Sequence, residues 1–200
     1  MRIAKRKLIF GLILFGVLFG GCYLLGGCYI LKTPPARDCP IESLVLDESV
    51  FPGEAVAEPI LSPLPRAAWE SAGRGIFLKK GGGLIHDIYR YRTASRAAKE
   101  FEKRKQLTFV ETATSGSWET PSEVTYRSPI ADRYYLACGM EHKIYMCFML
   151  AQYEEYYVFF NAHMSEKGMT FEALERALRA IDERMARCLG KPWPAEQGTR

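Results

Sequence analysis

The stretch RYYLACGMEHKIYMCFMLAQYEEYYVFFNAH, residues 133–163, decides the fold. Its Tyr, Phe, Val and Ile residues fall in three runs, Arg133 to Cys138, Lys143 to Ala151 and Tyr156 to Ala162, the composition that a half-buried pleated surface favours. Gly139 to His142 and Tyr153 to Glu155 leave room only for turns, so the three runs predict consecutive antiparallel strands in a meander. Val124 to Arg127 predicts a fourth strand, entering through Pro129 to Asp132.

On the C-terminal side, Phe171, Leu174, Leu178, Ile181, Met185 and Cys188 recur at alternating spacings of 3 and 4, which makes one apolar stripe on a helix. Thr170 caps its start, and Gly190 takes the left-handed position that ends it. On the N-terminal side, Gly75 to Lys80 and Leu84 to Tyr91 form a hairpin around Gly81, Gly82 and Gly83. Thr93 then caps a helix from Ala94 to about Gln106, with Leu107 to Thr112 extended after it. Ser43 to Leu46 predicts a short strand, Ala55 to Pro65 an irregular proline-rich arm, and Arg66 to Ser71 a single helical turn. The fold class that follows is α+β: an antiparallel sheet of about five to seven strands in two layers, with two main helices packed on one face.

Ahead of this domain, Leu8 to Leu31 carries no charge, and as a helix at about 1.5 Å per residue it reaches roughly 36 Å, enough to span a bilayer core. Arg2, Lys5, Arg6 and Lys7 precede it, so the positive-inside rule leaves the N-terminus in the cytoplasm and puts the rest outside, a single-pass cell-membrane protein. The boundaries predicted are a basic tail at 1–7, a transmembrane signal anchor at 8–31, a linker at 32–38 with Pro34 and Pro35, the domain at 39–190 and a flexible tail at 191–200. Leu25, Gly26, Gly27 and Cys28 resemble a bacterial lipobox, with Phe19 to Cys22 as a poorer copy. That resemblance implies a cleaved lipoprotein with lipid on Cys28. Tyr29, Ile30 and Leu31 continue the apolar run beyond the cysteine and favour the uncleaved anchor. Gly16 and Gly20 form one GxxxG, a pattern that also supports helix pairing.

The chain has 27 basic and 23 acidic residues; without the four that precede Leu8 the balance is 23 to 23. A neutral domain has no basic face for phosphate neutralisation, which argues against nucleic acid as a partner. Of six cysteines, Cys39, Cys138, Cys147 and Cys188 lie in the exported part, where thiols oxidise. Four cysteines allow three pairings. Cys138 with Cys147, across one predicted turn, and Cys39 with Cys188, joining the domain's ends, are favoured.

No motif names a reaction. His86, His142 and His163 stand in neither HxH nor HExxH spacing, and no CxxC occurs, so no metal or cofactor is expected. Cys147 with His163 has the residue types of a nucleophile pair but a competing disulfide, and the triple glycine lacks the lysine of a P-loop. GxSxG and SxxK are absent too, and no catalytic residue is assigned. The aromatic strands carry the one binding signal: strand alternation puts Tyr157 and Phe159 opposite Tyr156, Val158 and Phe160, and Tyr157, Phe159 and Tyr135 are the candidate binding face. The expected role is a membrane-anchored extracytoplasmic binding module for an unidentified protein or ligand. The alternatives are an extracytoplasmic enzyme with a dispersed site and a membrane assembly factor acting through residues 8–31.

Overall fold

Aromatic and β-branched runs pair into a six-stranded sheet in the computed structural model, which describes residues 33–60, 67–112 and 115–193. The strands are β1 (Ala55–Pro59), β2 (Ala68–Leu78), β3 (Gly83–Tyr91), β4 (Arg133–Glu141), β5 (Ile144–Tyr153) and β6 (Tyr156–His163), and two helices, α1 (Ala94–Thr108) and α2 (Phe171–Leu189), complete the α+β domain. All neighbours are antiparallel, in the order β1-β2-β3-β6-β5-β4. The meander β4-β5-β6 is continuous, and β6 joins it to the β2-β3 hairpin. Thr93 and Thr170 cap the two helices, and Gly190 closes α2 with φ of 64°.

Chain connectivity explains where the helices lie. After β3 the chain must cross β6 and β5 to reach β4 at the far edge, and α1 makes that crossing. Ala97 and Phe101 pack on Tyr89, Tyr91, Leu150 and Tyr157. Leu174, Leu178, Ile181 and Met185 of α2 belong to the larger core with Ile88, Met149, Tyr156, Val158 and Phe160, on the other side of the same strands. The layer of α2 on the sheet is present, but the expectation of both helices on one face is corrected: they occupy opposite faces.

Several local expectations fail where pairing outweighs local preference. The proline-rich segment supplies strand β1, with Val56 opposite Phe77 and Pro59 ending it at the sheet edge, where the donor that proline lacks costs least. Residues 68–71 are strand, not a helical turn, because Ala68 to Ser71 lie beside Tyr89 to Tyr91. In place of a strand at 43–46 there is a short 3-10 turn at Ile41–Ser43. Helix α1 runs on to Thr108. Val124 and Tyr126 are buried but form no strand, because the Thr125 and Tyr126 amides donate to the Glu175 carboxylate on α2 at 2.6 and 3.0 Å.

The chain divides between Thr33 and Pro34. Residues 34–38, expected as a free linker, are fastened: Arg37 donates to Glu155 at 2.9 and 2.8 Å, and Arg90 donates to the Pro35 carbonyl. The tail is held at its start, where Lys191 donates to the Ile130 carbonyl at 3.2 Å and Trp193 packs against the core. Disulfides join Cys39 to Cys188 and Cys138 to Cys147, with Cα separations of 5.5 and 4.0 Å. Two such bridges fit folding in an oxidising compartment. The anchor at 8–31, Gly16, Gly20 and Cys28 lie outside the described residues. Among the described residues no helix is long and apolar enough to cross a membrane.

Candidate functional site

The aromatic face named from the sequence is on one side of the sheet, but α1 covers it. Tyr157 is 1% exposed and stacks on Tyr89, ring centroids 6.0 Å apart. Tyr135 meets the edge of Phe109 at 4.7 Å and carries the Lys105 ammonium over its ring at 4.3 Å. Phe159, partly buried, touches Phe148 at 5.9 Å, and Trp118 packs on Phe148 from the segment that lines the β4 edge. Gly139 makes that approach feasible, since a Cβ there would sit 2.6 Å from the Ser117 carbonyl. These residues form a second small core, not an open groove. The Tyr157 hydroxyl is buried without a partner among the described residues. Tyr157→Phe is therefore expected to leave stability unchanged or raise it by about 1 kcal/mol, whereas Tyr157→Ser lowers it by about 3 kcal/mol or more, both read from urea unfolding midpoints.

The histidines separate. His142 sits in the β4-β5 turn with φ of 48°, and His163 is exposed at the end of β6. Cys147 is bridged to Cys138, so the thiol of a Cys147/His163 pair is already used. His86, for which a solvated or singly hydrogen-bonded side chain is the ordinary explanation in a strand, is 0% exposed, and its Nδ1 accepts from the Leu46 amide at 3.1 Å. Burial, with the positive charge of Arg184 as a smaller cause, lowers its pKa to about 3. The folded imidazole thus stays neutral while the unfolded one takes up a proton below its ordinary value near 6.5. Stability falls as the pH drops below that value, by about 1.4 kcal/mol per pH unit at most, and the loss levels off near the folded pKa. His86→Asn keeps an acceptor for the Leu46 amide and is expected to flatten the decline in urea midpoint between pH 6.5 and 5. Among the described residues no group of three or more His, Cys, Asp or Glu is placed to hold a metal.

Of the carboxylates buried among the described residues, Asp87, Glu155 and Asp182, the last two fasten segments distant in sequence. Asp182 on α2 accepts from Tyr153 at 2.6 Å, from Ser128 at 2.8 Å and from Tyr126. Burial raises its pKa, and the three hydroxyl bonds act against that shift. Glu155, in the β5-β6 turn, faces Arg37 at 2.8 Å and Arg90 at 3.4 Å. Both groups tie distant segments together.

At the opposite end of the sheet from Arg37 and Glu155, roughly 26 Å along β5, apolar side chains reach solvent. Met140 and Tyr145, paired across β4 and β5, are 45% and 38% exposed. Tyr145 meets the edge of Phe171 at 6.3 Å, and the two rings, with Met164 and Met169, wall an open groove of about 460 Å³. Its far wall is the loop 164–170, fixed by Met164 N donating to the Tyr145 carbonyl at 3.0 Å and Ser165 N to the Met169 carbonyl at 3.0 Å. The triple-glycine turn lies behind that loop, with the Ser165 hydroxyl donating to the Gly81 carbonyl at 2.9 Å. Gly82, with φ of 75°, comes so close that a Cβ would stand 2.5 Å from the His163 carbonyl. Partial burial and the nearby Glu123 and Glu119 raise the Tyr145 pKa, so its hydroxyl stays a neutral donor at the rim. Sequence reasoning missed this site because its four apolar residues come from β5, the loop after β6 and the first turn of α2; only the density of methionine around residues 140–169 hints at it.

No family model matches the chain, and a search of curated proteins finds no match either.

Proposed function

We propose that this protein is a membrane-held extracytoplasmic interaction module that receives an apolar segment of a partner protein in the groove between Tyr145 and Phe171. The observation that carries the reading is this open groove, in which partly buried Met164 and the rings of Tyr145 and Phe171 stand over core Met169, at the end of the sheet away from Arg37 and Glu155. Methionine adapts its shape and is favoured on surfaces that accept partner side chains. A groove open along one side, with half-exposed Met140 beside it, suits a macromolecular surface better than a small ligand, which pockets bury by about 70 to 90%. The uncharged run 8–31 and the basic residues before it support a single-pass anchor with the domain outside, and the two bridges agree with that compartment. Asp182 and Glu155 are both committed to fastening the fold, which leaves the groove as the feature the reading rests on.

Replacing Tyr145 by the photo-crosslinker benzoylphenylalanine in the full chain, in cells, tests the assignment. A discrete protein adduct at position 145, and none with the same replacement at exposed Lys99 on α1, is the expected result. No adduct at 145, or the same adducts from both positions, would remove the groove as the interaction site.

A further inference from the structure

A second groove, of about 700 Å³, lies between the turn at residues 43–50 and residues 176–187 of α2. Four arginines line its helix side, and they are not equivalent. Arg184 donates to Asp47 at 3.0 Å and to the Val45 carbonyl, and Arg187 pairs with Glu183 at 3.0 Å, so the groove's two carboxylates are already matched. Arg176 and Arg179 remain. The Arg176 guanidinium lies over the Phe51 ring at 5.6 Å and has no carboxylate within ion-pair distance among the described residues. Arg179 lies over the Tyr126 ring at 4.5 Å and is ion-paired at 3.7 Å with Glu175, a carboxylate that also accepts the amides of Thr125 and Tyr126.

A ring contact uses the face of a guanidinium and leaves its in-plane N–H fork available. It also restricts the side chain, which lowers the entropy lost when the fork engages a ligand. Arg176 and Arg179 are three residues apart on α2, a spacing that sets their Cβ atoms about 5 to 6 Å apart, and both side chains line the groove. We propose that this groove binds a phosphate-type oxyanion between Arg176 and Arg179. Planar, bidentate N–H pairs match the oxygens of such a group. Two sources share this chemistry, a phospholipid headgroup and soluble phosphate. The groove's Arg187 end adjoins the Cys39–Cys188 bridge, close to where the chain enters the domain. The site is separate from the Tyr145 groove and does not depend on it.

The test is the melting temperature of the full chain in neutral detergent, titrated with inorganic phosphate against chloride at matched ionic strength. Phosphate should raise it, and Arg176→Gln with Arg179→Gln should weaken the apparent affinity by about tenfold or more. Lys99→Gln with Lys103→Gln removes the same charge from α1 and should leave the affinity unchanged. No phosphate-specific rise, or equal weakening by both pairs, would overturn the site. Repeating the titration in bilayer discs assigns the source. Loss of the phosphate effect when phosphatidylglycerol replaces part of the phosphatidylcholine identifies the headgroup as the occupant, and retention identifies soluble phosphate.

Discussion

Glu155→Gln is expected to lower the stability of the domain by about 3 kcal/mol or more. Glu155 is 1% exposed and holds the Arg37 guanidinium through two hydrogen bonds, with Arg90 behind it at 3.4 Å. Removing its charge leaves two largely buried cations with only the half-exposed Glu154 and Glu70 as partners. An uncompensated buried charge is far more costly than a lost surface pair. Glu70→Gln, at an outer position of the same network, is accordingly expected to lose less than about 1 kcal/mol. Because Arg90 also donates to the Pro35 carbonyl, Glu155→Gln should release residues 34–38 as well. Urea midpoints give the first effect, and faster hydrogen exchange of Ala36 to Asp38 gives the second. Equal, small losses in the two variants would mean that the network contributes no more than surface pairing.

Asp182→Ala should have an effect of similar size, about 3 kcal/mol or more, for a different reason. The carboxylate is the common acceptor for Tyr126, Ser128 and Tyr153, and it binds the segment around 124–128 and strand β5 to α2. Alanine strands three hydroxyls in a region with little access to water. Asparagine keeps one carbonyl acceptor and avoids burying a charge, and Asp182→Asn should retain most of the stability. Since burial raises the Asp182 pKa above its unfolded value, the protonated form is favoured in the folded state; this group's contribution to stability rises as pH falls through that window and declines as pH rises. Asp182→Asn should therefore remove a pH dependence opposite in sign to that of His86. A loss for asparagine as large as for alanine would show that the negative charge itself matters.

The order of the last three strands and the stripe of α2 were readable because each is a local pattern: alternation from Tyr134 to Ala162, and a 3,4 spacing from Phe171 to Cys188. The edge was not. Ala55 to Pro59 and Ala68 to Ser71 have weak or contrary local preferences, and they are strands because each lies beside the next, a long-range fact. Alternation separated Tyr157 from Tyr156 correctly, but it cannot say which helix covers which face; the crossing from β3 to β4 decides that. His86 shares its strand face with the core-facing Leu84 and Ile88, and its burial follows from that position, which its residue type alone does not indicate. Neither groove could be read, since one joins Met140 to Phe171 and the other faces residues 43–50 with residues 176–187.

The bridged domain and its oxidising surroundings are tested most directly by the thiol state of the full chain as it leaves the cell. The protein would be unfolded in iodoacetamide without reductant, digested and weighed. Peptides joining Cys39 to Cys188 and Cys138 to Cys147, with no alkyl group on any of the four, are the predicted result. Alkylated Cys39, Cys138, Cys147 and Cys188 would contradict it, and would move the domain to a reducing compartment where an interaction module outside the membrane has no place.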